Sequence, residues 1–288
     1  MLSYQSKSSP LLPTLSLLIG SLGLVGCDNE SSESDLNELD DVTFTSAEMQ
    51  SCFDASRIHQ NWQNIIDVTS LRCGDEQVDT IEGIEQLYAL ETLEIFRTIA
   101  TTFDLRQNSE LKNLHLLFNE NLTELNLSDN SKLEMITLEY NGIESLNISQ
   151  LSNLKQVYLS NSPIEEINLD SSFNILGILV AKGNLTSLDV SELTNLQSLL
   201  VYDNQLTNLD LSQNYNLEMI NVSDNNLTEI DLQFNVELQT VMATGNLLET
   251  INFSHNGKLE KVDIQDNPLS TDTLLYLQNL DWIADLKY

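Results

Sequence analysis

The chain has 288 residues, 41% of them hydrophobic, with 10 Gly, 4 Pro and 3 Cys; this is enough to bury a core and excludes collagen-like or largely disordered classes. Against 44 acidic residues stand 12 basic ones, leaving a formal net charge of −32. A surface that negative repels phosphate backbones and acidic lipid headgroups, which argues against a nucleic-acid partner.

Taken in chain order, the first feature is an apolar stretch from Leu11 to Val25, preceded by Lys7. It falls short of the ~20 apolar residues that span a bilayer and has the proportions of a signal-peptide core. It ends in Leu24-Val25-Gly26-Cys27, which resembles the lipobox of bacterial lipoproteins. That resemblance implies cleavage after residue 26, acylation of Cys27 and a lipid-anchored protein of the bacterial cell envelope. Asp28 follows directly and resembles an inner-membrane retention signal, a rule that varies between bacteria, so inner and outer membrane both stay open. Residues 27–42 are rich in Asp, Glu and Ser and read as a solvated tether.

Residues 43–89 form the expected N-terminal cap. Ser46 suits a helix N-cap, and Met49, Cys52, Phe53 and Ile58 fall roughly on one helical face. "DVTSLRC" has the β-branched alternation of a short strand. Export would place Cys52 and Cys73 in an oxidising compartment, where a structural disulfide is expected. A redox or metal pair is the alternative, but it lacks both CxxC spacing and nearby His.

From residue 90 a period takes over. Leu90, Leu111, Leu133, Leu154, Ile175, Leu196, Leu217, Leu238 and Leu259 open successive units of 21 residues, apart from one of 22 between Leu111 and Leu133. A fixed period of this length means a solenoid, in which each turn buries its apolar side chains by stacking on its neighbours. "NLEMINVSDNNLTEIDLQFN" states the motif twice within one turn. The pattern L-x-x-L-x-L-x-x-N-x-L resembles leucine-rich repeats, and the nested ten-plus-eleven spacing resembles the bacterial subclass called IRREKO. Residues 68–96 are similar to the lead-in to the repeats of internalin-like proteins. The resemblance implies a mainly β solenoid over 90–269 with two short strands per turn, capped by short helices. Leu274, Leu277 and Leu280 suggest the helix of the C-terminal cap, 270–288.

The recurring Asn appears at Asn119, Asn141, Asn204, Asn225, Asn246 and Asn267, while Thr98, Ser162 and Gly183 replace it elsewhere. Its loss at two consecutive turns predicts local distortion around Ser162 and Gly183.

Alternation along a strand sends neighbouring side chains to opposite faces. With Ile220 and Val222 pointing inward, the outward column of the first wall reads Glu94, His115, Thr137, Tyr158, Leu179, Leu200, Asn221, Met242, Asp263. Ala181, Tyr202 and Ser223 stand among its outward neighbours. Phe96, His115, Leu117, Met135, Tyr158, Leu179, Leu200, Tyr202, Met219 and Met242 thus form a candidate protein-binding face, since exposed apolar patches mark interaction surfaces. The second wall's column is polar: Asp104, Asn126, Asn147, Asn168, Asp189, Asp210, Asp231, Asn252. Asp189, Asp210 and Asp231 offer a row of carboxylates to Ca²⁺, but without a D-x-D-x-D-G loop and with too few ligands per ion. No cofactor or small-molecule substrate is expected.

Catalysis finds little footing. His59, His115 and His255 are far apart along a solenoid, and no G-x-S-x-G, H-E-x-x-H or phosphate-binding Gly loop occurs. The reading favoured by the residues is a membrane-anchored protein-binding scaffold. A self-associating structural role, or a carbohydrate module using Tyr158 and Tyr202, stands as the alternative.

Overall fold

The computed structural model describes residues 38–75, 77–149 and 151–288. The apolar stretch Leu11–Val25, Cys27 and the start of the acidic tether lie outside them. Among the described residues no helix is long and apolar enough to cross a membrane.

Helix α1 spans Ala47–Gln60; the Ser46 side chain accepts from the Met49 N–H, and Asn61 closes the helix in the left-handed region at φ 56°. Met49 and Phe53 are buried, but Ile58 is exposed, so the expected apolar face is narrower than the sequence suggests. It fails at Ile58 because that residue sits in the last turn, beyond the part of the helix that packs on the sheet. Strand β1, Ser70–Cys73, lies beside α1, and Cys52 is bonded to Cys73 with a Cα–Cα distance of 5.8 Å.

The repeat strands then follow in chain order: β2 (Thr92–Phe96), β3 (Thr102–Asp104), β4 (Asn113–Leu117), β5 (Glu124–Asn126), β6 (Met135–Glu139), β7 (Ser145–Asn147), β8 (Gln156–Ser160), β9 (Glu166–Asn168) and β10 (Gly177–Ala181). After these come β11 (Ser198–Leu200), β12 (Met219–Asn221), β13 (Thr240–Met242), β14 (Lys261–Asp263), helix α2 (Thr271–Leu277) and β15 (Asp285–Lys287). One sheet of 11 strands runs through every turn in the order β1-β2-β4-β6-β8-β10-β11-β12-β13-β14-β15. Its pairs are parallel because the chain completes a lap between one strand and the next. The inward residues of β2, β4 and β6 are buried and the outward ones half-buried. Ile220 and Ile230 belong to one apolar interior.

The second wall is less regular than the repeated motif predicts. Ladder pairing occurs there at β3–β5 and β7–β9. Among the described residues, no backbone hydrogen bond joins segment 208–210 to 229–231, or 229–231 to 250–252. The backbone groups of those segments therefore form no ladder of the kind that joins the turns on the first wall. Polar grooves open between them, one of about 330 Å³ beside Asn168 and Asp189 and one of about 560 Å³ beside Asp210 and Asp231.

Two buried amide ladders tie the turns together. In the first, Asn225 donates to Val201 O at 2.8 Å and accepts from Leu206 N at 3.0 Å. Asn204 and Asn246 bond in the same way. The second belongs to the repeat's other half: Asn235 donates to Leu211 O and Asn214 O, and Asn256 to Leu232 O and Asn235 O. A buried carboxamide can bridge backbone groups of two turns in this way. On the surface, Asn153, Asn174, Asn195 and Asn216 each donate to a carbonyl of the preceding turn.

The distortion expected at Ser162 and Gly183 is absent from the sheet, for β8 and β10 pair over all five residues. The Ser162 hydroxyl accepts from Asn141 N at 3.0 Å and so replaces an amide oxygen. Gly183 brings no carboxamide to the ladder, and a Cβ there would lie 2.9 Å from Asn204 Oδ1.

Candidate functional site: the outward face of the first sheet

The strand register sets the central column. Tyr158 pairs with Leu179 and Leu179 with Leu200, so three large side chains stand on consecutive rungs. Tyr158 is 37% exposed, and its hydroxyl donates to Gln156 Oε1 at 3.0 Å. Gly177, the rung beside Gln156, leaves room for that carboxamide; a Cβ would lie 2.4 Å from Oε1. Tyr202 completes the middle cluster. Its column neighbours Ala181 and Ser223 point outward in the alternation but are buried. Burial, and then the nearby Asp203 carboxylate, push the Tyr202 phenol up from its usual range.

The other candidate residues divide into separate groups. Phe96 pairs with Leu117 at the N-terminal end, and the Arg72 guanidinium lies 4.9 Å from the Phe96 ring centre while bonded to Glu94. His115 sits on the next rung from Glu94; burial lowers its imidazole pKa, and the Glu94 charge partly offsets that. Met135 and Met219 occupy the opposite flank, separated by Gln156, Gly177 and Ser198. Met219 is 41% exposed. Asn221 stands between Leu200 and Met242. The contiguous apolar strip is therefore Tyr158, Leu179, Leu200 and Tyr202, with Phe96–Leu117 as a second patch.

Sequence reasoning missed the rim of this sheet. Within three residues of the end of the first-wall strand each turn carries one residue at positive φ: Arg97, Phe118, Tyr140, Asn161, Lys182, Asp203, Asp224, Gly245 and Asp266. The N–H of each of the first eight bonds to the turn above, as in Phe118 to Glu139 O and Lys182 to Tyr202 O. The result is a continuous, rigid rail. Asn, Asp and Gly suit this conformation; Phe and Tyr carry a steric cost there. Phe118 and Tyr140 are 44% and 39% exposed and stack with centres 5.0 Å apart and planes 9° from parallel. Arg97 lies 6.0 Å from the Phe118 ring centre. The available signal was the 21-residue recurrence at the position following the second outward residue.

On the second wall the acidic column has a structural use. Asp189 Oδ1 accepts from Ser191 N, and Asp210 Oδ1 from Ser212 N, both at 2.9 Å. Asp231 accepts from Gln233 N at 3.0 Å, and Asn147 and Asn168 do the same with the residue two further on. These are Asx turns, which an Asp or Asn makes equally well. The bonds from Ser191 hold the Asp189 carboxyl below its usual range, and those from Ser212 do so for Asp210. Among the described residues no group of three or more His, Cys, Asp or Glu is placed to hold a metal ion.

No family model matches the chain, and no curated protein matches it. Solved structures do. InlP of Listeria monocytogenes superposes with a TM-score of 0.64 at 21% identity, over 80% of this chain and 72% of that one. The functional domain of InlJ, from the same bacterium and described as including a cysteine ladder, gives 0.62 at 22% identity over 82% of this chain. The match spans 57% of that InlJ domain. A leucine-rich repeat protein of Leptospira interrogans gives 0.55 at 23% identity, over 72% of this chain and 62% of that one. The fold is that of an internalin-like leucine-rich repeat solenoid.

Proposed function

We propose that the protein is a lipid-anchored scaffold of the bacterial cell envelope that binds another protein through the outward face of its first sheet. The observation that carries this reading is the register Tyr158–Leu179–Leu200, which lines up large apolar side chains on a rigid parallel sheet. Such side chains lose little freedom on binding, so their burial is converted efficiently into affinity. A repeat solenoid also offers an extended, uninterrupted surface, which suits a protein partner better than a small molecule. The anchor rests on the Leu11–Val25 stretch and Cys27.

Proximity labelling from intact envelopes tests the binding face. Proteins labelled by the wild type should be lost with Leu179→Glu and Leu200→Glu and retained with a charge placed on the second wall, such as Ser212→Glu. An unchanged labelling profile for both sheet variants would sink the assignment. Metabolic labelling with a fatty-acid analogue tests the anchor: incorporation should vanish with Cys27→Ala.

A further inference from the structure

We infer that the rail along the rim of the first sheet is a homodimer interface, in which two copies of this chain pair antiparallel about a two-fold axis between the rungs of Lys182 and Asp203. This surface is distinct from the sheet face assigned above to a foreign partner.

The rail is polarised. Its first five rungs carry Arg97 and Lys182, neither of which is ion-paired to a carboxylate among the described residues, and its last four carry Asp203, Asp224 and Asp266, which have no cationic partner there. In a chain where most described Lys and Arg are already paired, Lys182 next to Asp203 is a self-complementary pair of rungs. Reversing one copy brings each Lys182 opposite the other copy's Asp203, twice over by symmetry.

Shape agrees with charge in the same register. Counting outward from the axis, Asn161 falls opposite Asp224, an amide donor against a carboxylate. One rung further, the exposed Tyr140 falls opposite Gly245, the rung without a side chain. The Asp224 carboxylate overhangs Gly245, for a Cβ there would lie 2.4 Å from its Oδ1; the Tyr140 hydroxyl would meet that oxygen. In the adjoining column the exposed Leu247 falls opposite Gly142. Tyr140 and Leu247 thus each face a glycine and Lys182 faces an acid, while Phe118 falls opposite Asp266. A shift by one rung in either direction sets Lys182 against Lys182, or Asp203 against Asp203, at the centre of the rail.

Eight steps of ~4.8 Å make the rail ~40 Å long. With the adjoining column it offers roughly 400–600 Å² per copy, at the low end for a specific interface, so a weak, reversible dimer is expected.

The test uses two differently tagged full-length copies, co-expressed and co-purified in mild detergent. Wild-type copies should capture each other. Lys182→Glu with itself, and Asp203→Lys with itself, should each capture about tenfold less, while a Lys182→Glu copy should capture an Asp203→Lys copy as well as wild type does. Circular dichroism melts confirm that each variant folds. Leu200→Glu should leave capture unchanged. The proposal is overturned if wild-type copies do not co-purify, if the single charge changes have no effect, if the mixed pair fails to recover, or if Leu200→Glu abolishes capture while Lys182→Glu does not. None of those results would bear on labelling of a foreign partner by the sheet face.

Discussion

Gly142 faces the carbonyl of Glu120 so closely that a methyl group on its α-carbon would lie 2.5 Å from that oxygen and 3.1 Å from Leu122 O. The preceding turn holds the 22-residue unit, and its extra residue falls at Glu120–Asn121, in the loop after the ladder Asn119. Both obstructing atoms are backbone, so neither can swing aside. Gly142→Ala is expected to destabilise the protein by about 1–3 kcal/mol, the usual range for forced overpacking. Deleting Asn121 together with Gly142→Ala, which restores the 21-residue spacing, should recover part of the loss in urea unfolding. Equal stability of Gly142→Ala and wild type would show that the loop has slack.

The two amide ladders are expected to differ in cost. Asn225→Ala removes an acceptor for the buried Leu206 N–H as well as the donors to Val201 O and its own turn. Asn235→Ala removes only donors, to Leu211 O and Asn214 O. Leaving a buried group unpaired costs about 1–3 kcal/mol. Chemical denaturation should therefore rank Asn225→Ala as the more destabilising. The reverse order would mean that water replaces the lost carboxamide oxygen.

Joining Cys52 to Cys73 closes a loop across a sequence separation of 21. The chain-entropy argument assigns such a loop ~3 kcal/mol. Reduction, or a Cys52→Ala/Cys73→Ala double variant, should lower the melting temperature and expose α1 to hydrogen exchange before the repeats. Simultaneous loss of protection in α1 and β12 would indicate that the cap and solenoid unfold as one unit.

Protonation acts in opposite senses at two places. Asp189 and Asp210 have lowered folded pKa values, so their contribution is present above the unfolded carboxylate range and is lost as pH falls through the folded values. Asp224 has a raised value, from burial first and then from Asp203 and Asp266. Its charged form is disfavoured in the folded state, so its penalty is present at neutral pH and disappears as pH falls through the folded value towards the unfolded one. Asp224→Asn, which keeps a residue suited to φ 54°, should raise the melting temperature at pH 7 and lose that advantage near ~pH 3. An advantage that persists in acid would point to a packing effect.

Much of this molecule could be read from residue spacing. The 21-residue period, the burial of Leu217, Ile220 and Val222 and the outward column from Glu94 to Asp263 follow from local alternation and recurrence, because a strand's side chains change face at every residue wherever it lies; the Cys52–Cys73 bridge was legible as an even pair in a chain with an export signal. What the sequence could not supply was the lateral relation between turns. Whether segments 208–210 and 229–231 come close enough to pair depends on how far the turns spread on that wall, and that spread is a sum over many packed residues. Only the tertiary structure decided that Asp189 and Asp210 serve Asx turns, that Ala181 and Ser223 are buried beside Tyr202, and that Phe118 and Tyr140 stack on a left-handed rail. Each of these is set by residues 21 or 22 positions away, where one inserted residue moves which groups meet while the periodic pattern stays the same.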